Sequence, residues 1–181
     1  MKTKSFLLIL ILLLSIPIDG QNLKSDQNNF TRQDTLRGSI TAERDWWDLN
    51  YYHLDIVVNP KAKSIKGKNT IGYTILKPNQ TLQIDLQNPM KLTKAVQDGV
   101  ELEFVTECNA HFISLTKPQT AIGSQEEIEI FYEGNPRIAV RAPWDGGISW
   151  KKDTNGIDFI ASSCQGLGAS VWWPNKDHMY D

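Results

Sequence analysis

At 181 residues, with 40% hydrophobic, 9% aromatic and 22% charged side chains, the chain has a globular make-up that excludes a disordered, collagen-like or disulfide-scaffold protein. Its 19 basic and 21 acidic groups give a formal net charge of −2, which excludes electrostatic capture of nucleic acid as its business. The length fits one domain or a small pair and leaves little room for a large metalloenzyme.

Lys2 and Lys4 precede an unbroken apolar run over residues 6–14, followed by Ser15-Ile16-Pro17-Ile18 and the small and polar Asp19-Gly20-Gln21. Charged, apolar and cleavable regions in that order predict a secretory signal peptide over residues 1–20. The apolar part falls short of the roughly 20 residues that span a bilayer, so contact with a membrane is expected only if the segment stays uncleaved. Cleavage removes Lys2, Lys4 and Asp19 and leaves a mature charge of −3. The mature chain is therefore expected to be exported, whether periplasmic, cell-surface or secreted.

Residues 21–45 are polar and poor in large apolar groups, which predicts a linker, with the folded domain over residues 46–181. From Trp46 onward the dominant period is two. Tyr52, Leu54, Ile56 and Val58 alternate with Tyr51, His53 and Asp55 until Asn59-Pro60 ends the run. Ile71, Tyr73 and Ile75 alternate with Thr70, Gly72 and Thr74; Leu82, Ile84 and Leu86 with Gln83, Asp85 and Gln87; and Ile128, Ile130 and Tyr132 with Glu127, Glu129 and Phe131. These are half-buried strands. Shorter strands are expected around Leu102 to Phe104 and Phe112 to Leu115. Turn signals separate them, among them Lys77-Pro78-Asn79, Asp98-Gly99 and Gly134-Asn135-Pro136, and Asn155-Gly156 is the strongest hairpin signal. No window carries a helical stripe of ten or more residues. The pattern predicts an all-β fold, an antiparallel sandwich or a saddle-shaped assembly of sheets.

The histidines decide the first question of chemistry. A helical zinc-protease site needs His-Glu-x-x-His, because side chains four apart share one helical face and the Glu activates the metal-bound water. His53, His111 and His178 are followed by Leu, Phe and Met, and no two are four apart; this motif is absent. His53 reads as a strand residue, His111 and His178 as loop residues. Cys108 and His111 have a ligand-like spacing, with Cys164 as a conceivable third ligand, but no fourth is evident, so no metal ligand is assigned. Cys108 and Cys164 are read as two separate buried thiols, because one distant pair in a chain large enough to fold without it is weak ground for a disulfide. The Ser162-Ser163-Cys164-Gln165-Gly166 stretch lacks the Gly-x-Ser-x-Gly elbow and any cysteine-protease signature; no catalytic residue is assigned. Six tryptophans raise a sugar-stacking reading, but Trp46-Trp47 and Trp172-Trp173 are adjacent pairs, and strand neighbours point to opposite faces. One member of each pair is expected in the core. Asn29-Phe30-Thr31 and Asn79-Gln80-Thr81 match the glycosylation triplet.

The ordered pieces resemble one family. Tyr51-Tyr52-His53-Leu54-Asp55-Ile56 leads to Ile65-Lys66-Gly67, then Leu82-Gln83-Ile84-Asp85-Leu86, Phe131-Tyr132-Glu133-Gly134-Asn135-Pro136 and Pro143-Trp144-Asp145-Gly146-Gly147. The series ends in Cys164-Gln165-Gly166-Leu167-Gly168-Ala169-Ser170-Val171-Trp172-Trp173-Pro174-Asn175-Lys176-Asp177. Over residues 46–181 this resembles the N-terminal domain of the aminopeptidase N family of zinc metallopeptidases, which includes leukotriene hydrolase. The resemblance implies a saddle-like antiparallel β domain packed against a thermolysin-like catalytic domain. It also implies that Gln165 helps to hold the free α-amino group of a peptide substrate. A neutral amide oxygen can accept a hydrogen bond from an ammonium; the alternative is a Gln that satisfies buried backbone groups at a strand end. The family's zinc-binding and catalytic motifs would all lie beyond Asp181, so zinc is expected only in a full-length enzyme, and this chain, a fragment of one, is expected to be inactive by itself. The alternative of another class is a free-standing exported β-sandwich module that binds glycan or protein.

Overall fold

The computed structural model describes residues 29–178; the predicted signal peptide lies outside them. Ten strands follow one short helix: α1 (Arg32–Gly38), β1 (Trp47–Asn59), β2 (Ser64–Ile75), β3 (Asn79–Asp85), β4 (Lys91–Gln97), β5 (Val100–Leu102), β6 (Phe104–Glu107), β7 (Ala110–Gln119), β8 (Gln125–Gly134), β9 (Gly147–Lys152) and β10 (Asp158–Ser163). The fold is all-β, as the period-two pattern predicts. All pairings within the three sheets are antiparallel: β1-β2-β8-β4-β5, β3-β7-β6 and the hairpin β9-β10. No helix among the described residues is long and apolar enough to cross a membrane.

One apolar core joins the sheets. Ile71 and Tyr73 of β2, Ala95 of β4, and Ile128 and Ile130 of β8 meet Leu82 and Ile84 of β3 and Ile113 and Leu115 of β7. Alternation on β2 and β8 is therefore real and sets the inner face of the larger sheet. The turns follow their residues. Asp98 and Gly99, both at positive φ, close the two-residue hairpin from β4 to β5, the geometry that Asp-Gly favours. Asn155-Gly156 lies in a wider β9-β10 turn, in which the Asp153 carboxylate accepts from the amides of Asn155 and Ile157, both at 2.8 Å.

Several sequence expectations change in three dimensions. Within the stretch predicted as linker, Thr31 and Asp34 form a capping box that starts α1, a motif that supplies partners for the first free amides of a helix. The helix has seven residues and one buried apolar side chain, Leu36, too little for a periodic signal. Arg44, six residues after α1 ends, is fully buried. β3 is buried on both faces: Gln83 and Asp85 are at 0% and 5% exposure, beside Leu82 and Ile84 at 0%, because α1, Arg44 and residues 175–177 lie over the polar face. Trp46 and Trp47 are both in the core, each at 1% exposure. Trp46 precedes the strand, so the alternation rule does not divide the pair, and both rings meet Tyr73 edge-on, with centroids 5.8 and 5.7 Å away. Trp172 and Trp173 are both half-buried. His111 is a strand residue at 6% exposure on β7, not a loop residue. The two cysteines are separate free thiols, but they are not both buried. Cys108 is exposed at the β6-β7 turn and Cys164 is half-buried.

Candidate functional site

The hairpin β9-β10 delivers the chain to a tight loop over residues 164–168. The amides of Leu167 and Gly168 both donate to the carbonyl of Cys164, at 3.2 and 3.0 Å. Gly166 and Gly168 have φ of 70° and 77°, a region that L side chains avoid, which accounts for the Gly-x-Gly spacing. Gln165 stands exposed on this turn. Its side chain makes no hydrogen bond to another of the described residues.

The loop is fixed from behind. Arg37 of α1 donates from Nη2 to the carbonyl oxygen of Gly166 at 2.8 Å. Gln87 donates from Nε2 to the Leu167 carbonyl and to Ser170 Oγ, and Ser170 Oγ donates to Asp177 Oδ2. A side chain at Gly168 would run into the Asp177 carboxylate, its Cβ only 2.9 Å from Cγ. The Gly-x-Gly turn and the aspartate nine residues later are thus in van der Waals contact, a physical reason for their spacing in the sequence.

Asp177 connects this loop to a buried polar cluster around Asp85. Its amide donates to Asp85 Oδ2 at 3.2 Å, and Asp85 also accepts from Arg44 Nη2 and from Gln83 Nε2, the latter at 2.9 Å. Arg44 Nη1 donates to the carbonyls of Leu36 and Ser39 at 2.7 and 2.9 Å. A guanidinium carries five donors in a rigid fork and is suited to tying several oxygens together. Arg44 therefore joins α1 and β3 to Asp177, whose carbonyl accepts from Nη2 at 3.4 Å. The final segment is further tied by an exchange of main-chain bonds between Asp85 and Asn175 at 2.9 and 3.1 Å, and by Lys176 Nζ, which donates to Trp47 O at 2.8 Å. Sequence reasoning missed Arg37, Arg44, Asp85 and Asp177. The one available signal was the alternation of Gln83, Asp85 and Gln87 with Leu82, Ile84 and Leu86.

The loop before β9 and the β9-β10 hairpin carry exposed apolar side chains. The segment before β9 runs parallel to it through an Ile138–Ile148 bridge, and Asp145 fastens its loop by accepting from the amides of Val140 and Arg141 at 2.7 and 2.8 Å. Those bonds hold the Asp145 carboxyl below the usual carboxylate range. Val140 and Trp144 project from this loop at 82% and 79% exposure, and Ile157 and Phe159 of the hairpin are also exposed. Ser163 Oγ donates to Pro143 O at 2.7 Å, which joins this loop to the strand that leads into the Gln165 turn.

Among the described residues no three His, Cys, Asp or Glu side chains gather as a metal site. His53 is on the outer face of β1, whereas His111 is buried on β7 with Nδ1 2.9 Å from Thr106 Oγ1. Cys108, the candidate co-ligand of His111, is an exposed residue at a left-handed turn. These residues do not fit a zinc ion. Asn79 of the second glycosylation triplet uses its side chain internally, donating to Ala42 O and accepting from the amides of Gln80 and Thr81.

No protein-family model matches the sequence, and no curated protein matches it. The fold has clear counterparts among solved structures. An M1 zinc metallopeptidase from Deinococcus radiodurans, a mutant bound to a Tyr-Ser-Ala substrate, superposes with a TM-score of 0.58 and 18% identity over 78% of this chain and 32% of its own. A two-domain M1 zinc metallopeptidase mutant bound to L-arginine gives 0.56 and 20% over 73% of this chain and 29% of that one. Native yeast LTA4 hydrolase gives 0.55 and 15% over 81% and 24%. The chain spans a third or less of the length of these proteins. Its fold is that of one part of the M1 metallopeptidases, in agreement with the family that the sequence resembles.

Proposed function

We propose that this chain is the N-terminal β domain of an exported zinc metalloaminopeptidase, in which it helps to recognise the free α-amino group of a peptide and packs against a separate catalytic domain. The observation that carries this reading is Gln165, exposed on a turn whose backbone is fixed by Arg37, Gln87 and Asp177, in a fold shared with M1 zinc metallopeptidases. Its amide oxygen is an uncharged acceptor for an ammonium donor, and the fixed turn limits the entropy lost when the bond forms. Zinc, held by the catalytic domain, would activate water for the hydrolysis. The exposed Val140, Trp144, Ile157 and Phe159 support a docking role, since uncovered apolar groups on an otherwise folded surface mark contact with another protein. Export rests on the signal peptide that the sequence predicts over residues 1–20.

The coding sequence read beyond Asp181 tests the reading, with assay of the protein it encodes. A His-Glu-x-x-His motif and release of N-terminal residues are expected, with Gln165→Ala weakening peptides that have a free N-terminus and leaving amine-blocked ones unchanged. A stop codon with no such motif in the transcript removes the aminopeptidase reading. The free-standing binding module is favoured in that case, with Trp144 as its exposed indole. Trp47 is excluded from that role by its burial.

A further inference from the structure

The edge of a β-sheet presents unpaired N–H and C=O groups, and proteins blunt such edges with short strands, charges, proline, bulges or a covering segment. Most edges here are managed in this way. β5 has three residues and β6 has four. β3 is covered by main-chain bonds from its flanks, Gln83 N to Glu43 O at 3.1 Å and the Asp85–Asn175 exchange. β1 is different. It has 13 residues, and its outer edge meets no strand among the described residues. Its bulge lies near the start, at Asn50, and Pro60 comes only after its end. From Tyr51 to Asn59 it has no Lys, Arg, Pro or Gly, and Tyr51, Ile56 and Val57 are exposed, Val57 at 70%.

We infer that this edge is a homodimer interface, at which β1 pairs antiparallel with β1 of a second copy about a two-fold axis at Leu54. In such a pairing residues equally far from the axis stand opposite each other. The axis at Leu54 sets His53 opposite the partner's Asp55, Tyr51 opposite the partner's Val57 and Tyr52 opposite the partner's Ile56. Charge–charge and aromatic–β-branched pairs are the favoured cross-strand neighbours, and the two-fold makes each pair occur twice. Moving the axis by one residue removes this match. Centred on Asp55, the register sets like charges against each other; centred on His53, it sets Tyr51 against the partner's Asp55. Because opposed residues share a face, Tyr52 and Ile56 remain on the core side and Tyr51, His53, Asp55 and Val57 on the outer side. There His53 Nε2 is already 3.6 Å from Asp55 Oδ1 and Tyr51 OH 3.2 Å from His53 Nδ1. The small net charge of −2 opposes self-association only weakly. This inference does not depend on the aminopeptidase reading.

Sedimentation of the purified full chain across about 1 to 100 µM should show a monomer–dimer equilibrium. His53→Asp, which places like charges opposite each other twice, should weaken it by about tenfold or more, and the double variant His53→Asp/Asp55→Lys should restore it. Val57→Lys, at an exposed site, should also weaken it with unchanged thermal stability of the monomer. With Cys108 and Cys164 changed to Ser, Leu54→Cys should form a disulfide-linked dimer on oxidation. A chain that stays monomeric throughout, including one whose own residues 1–28 occupy the edge, overturns the inference. So does a dimer indifferent to His53→Asp and Val57→Lys.

Discussion

Arg37 Nη2 donates to the carbonyl oxygen of Gly166 at 2.8 Å, so a side chain from α1, 129 residues earlier in sequence, holds the Gly166–Leu167 peptide next to Gln165. The Arg37 side chain is 41% exposed, and its Nε is 3.8 Å from Asp177 Oδ2. An interaction of this kind contributes about 1 kcal/mol or less to global stability. Arg37→Ala should therefore leave the melting temperature nearly unchanged and act locally. Hydrogen exchange at the amides of Leu167 and Gly168 should speed up. In a two-domain enzyme, the same change should raise KM for peptides with a free N-terminus more than it lowers kcat. Unaltered exchange at those two amides would show that Arg37 does not hold the turn.

The two glycines of the turn should respond differently to alanine. Gly166 has open space around it and only its φ of 70° opposes a side chain, which costs about 1 kcal/mol. Gly168 adds overlap with Asp177, so Gly168→Ala should cost about 3 kcal/mol. Denaturant unfolding of both variants checks the ranking. In an Asp177→Ala background the Gly168→Ala cost should fall toward that of Gly166→Ala, as contact pairs are non-additive.

Arg44 is fully buried against Asp85, which is itself 5% exposed. Removing one member of such a pair leaves an uncompensated charge, so Asp85→Ala should cost about 3–5 kcal/mol and lower the melting temperature by about 10 °C. The double variant Arg44→Met/Asp85→Leu should recover much of that loss. Calorimetry on the three proteins decides it, and a double variant no better than the single would show that the hydrogen bonds of the cluster matter more than its charges.

Burial pushes the His111 imidazole below the ordinary histidine value. The unfolded chain then binds the proton more readily than the folded one. This contribution to stability is fully present above about pH 6.5 and is lost as the pH falls below it. Urea unfolding between about pH 5 and 7.5 should show that decline in the parent chain, and His111→Phe should flatten it. An equal decline in both would assign it to other groups.

Sequence alone determined most of the strands, though not β4, and showed that residues 1–181 lack the zinc-protease motif. Period-two runs in β1, β2 and β8 are local statements, because each strand turns alternate side chains to one face whatever lies above it. The turn at Gly166 and Gly168 was not read from the sequence, and only the backbone angles show why glycine stands at both places. What lay over each face was not legible. The polar side of β3 reads as solvated until α1, Arg44 and Asp177 are placed on it, and Arg44 and Asp177 lie 41 positions before and 92 positions after Asp85. Burial of Trp46 together with Trp47 was decided in the same way, by Tyr73, which is distant from both in sequence. Local periodicity fixes which side chains share a face; only tertiary packing decides whether that face meets water, another sheet or a charged partner.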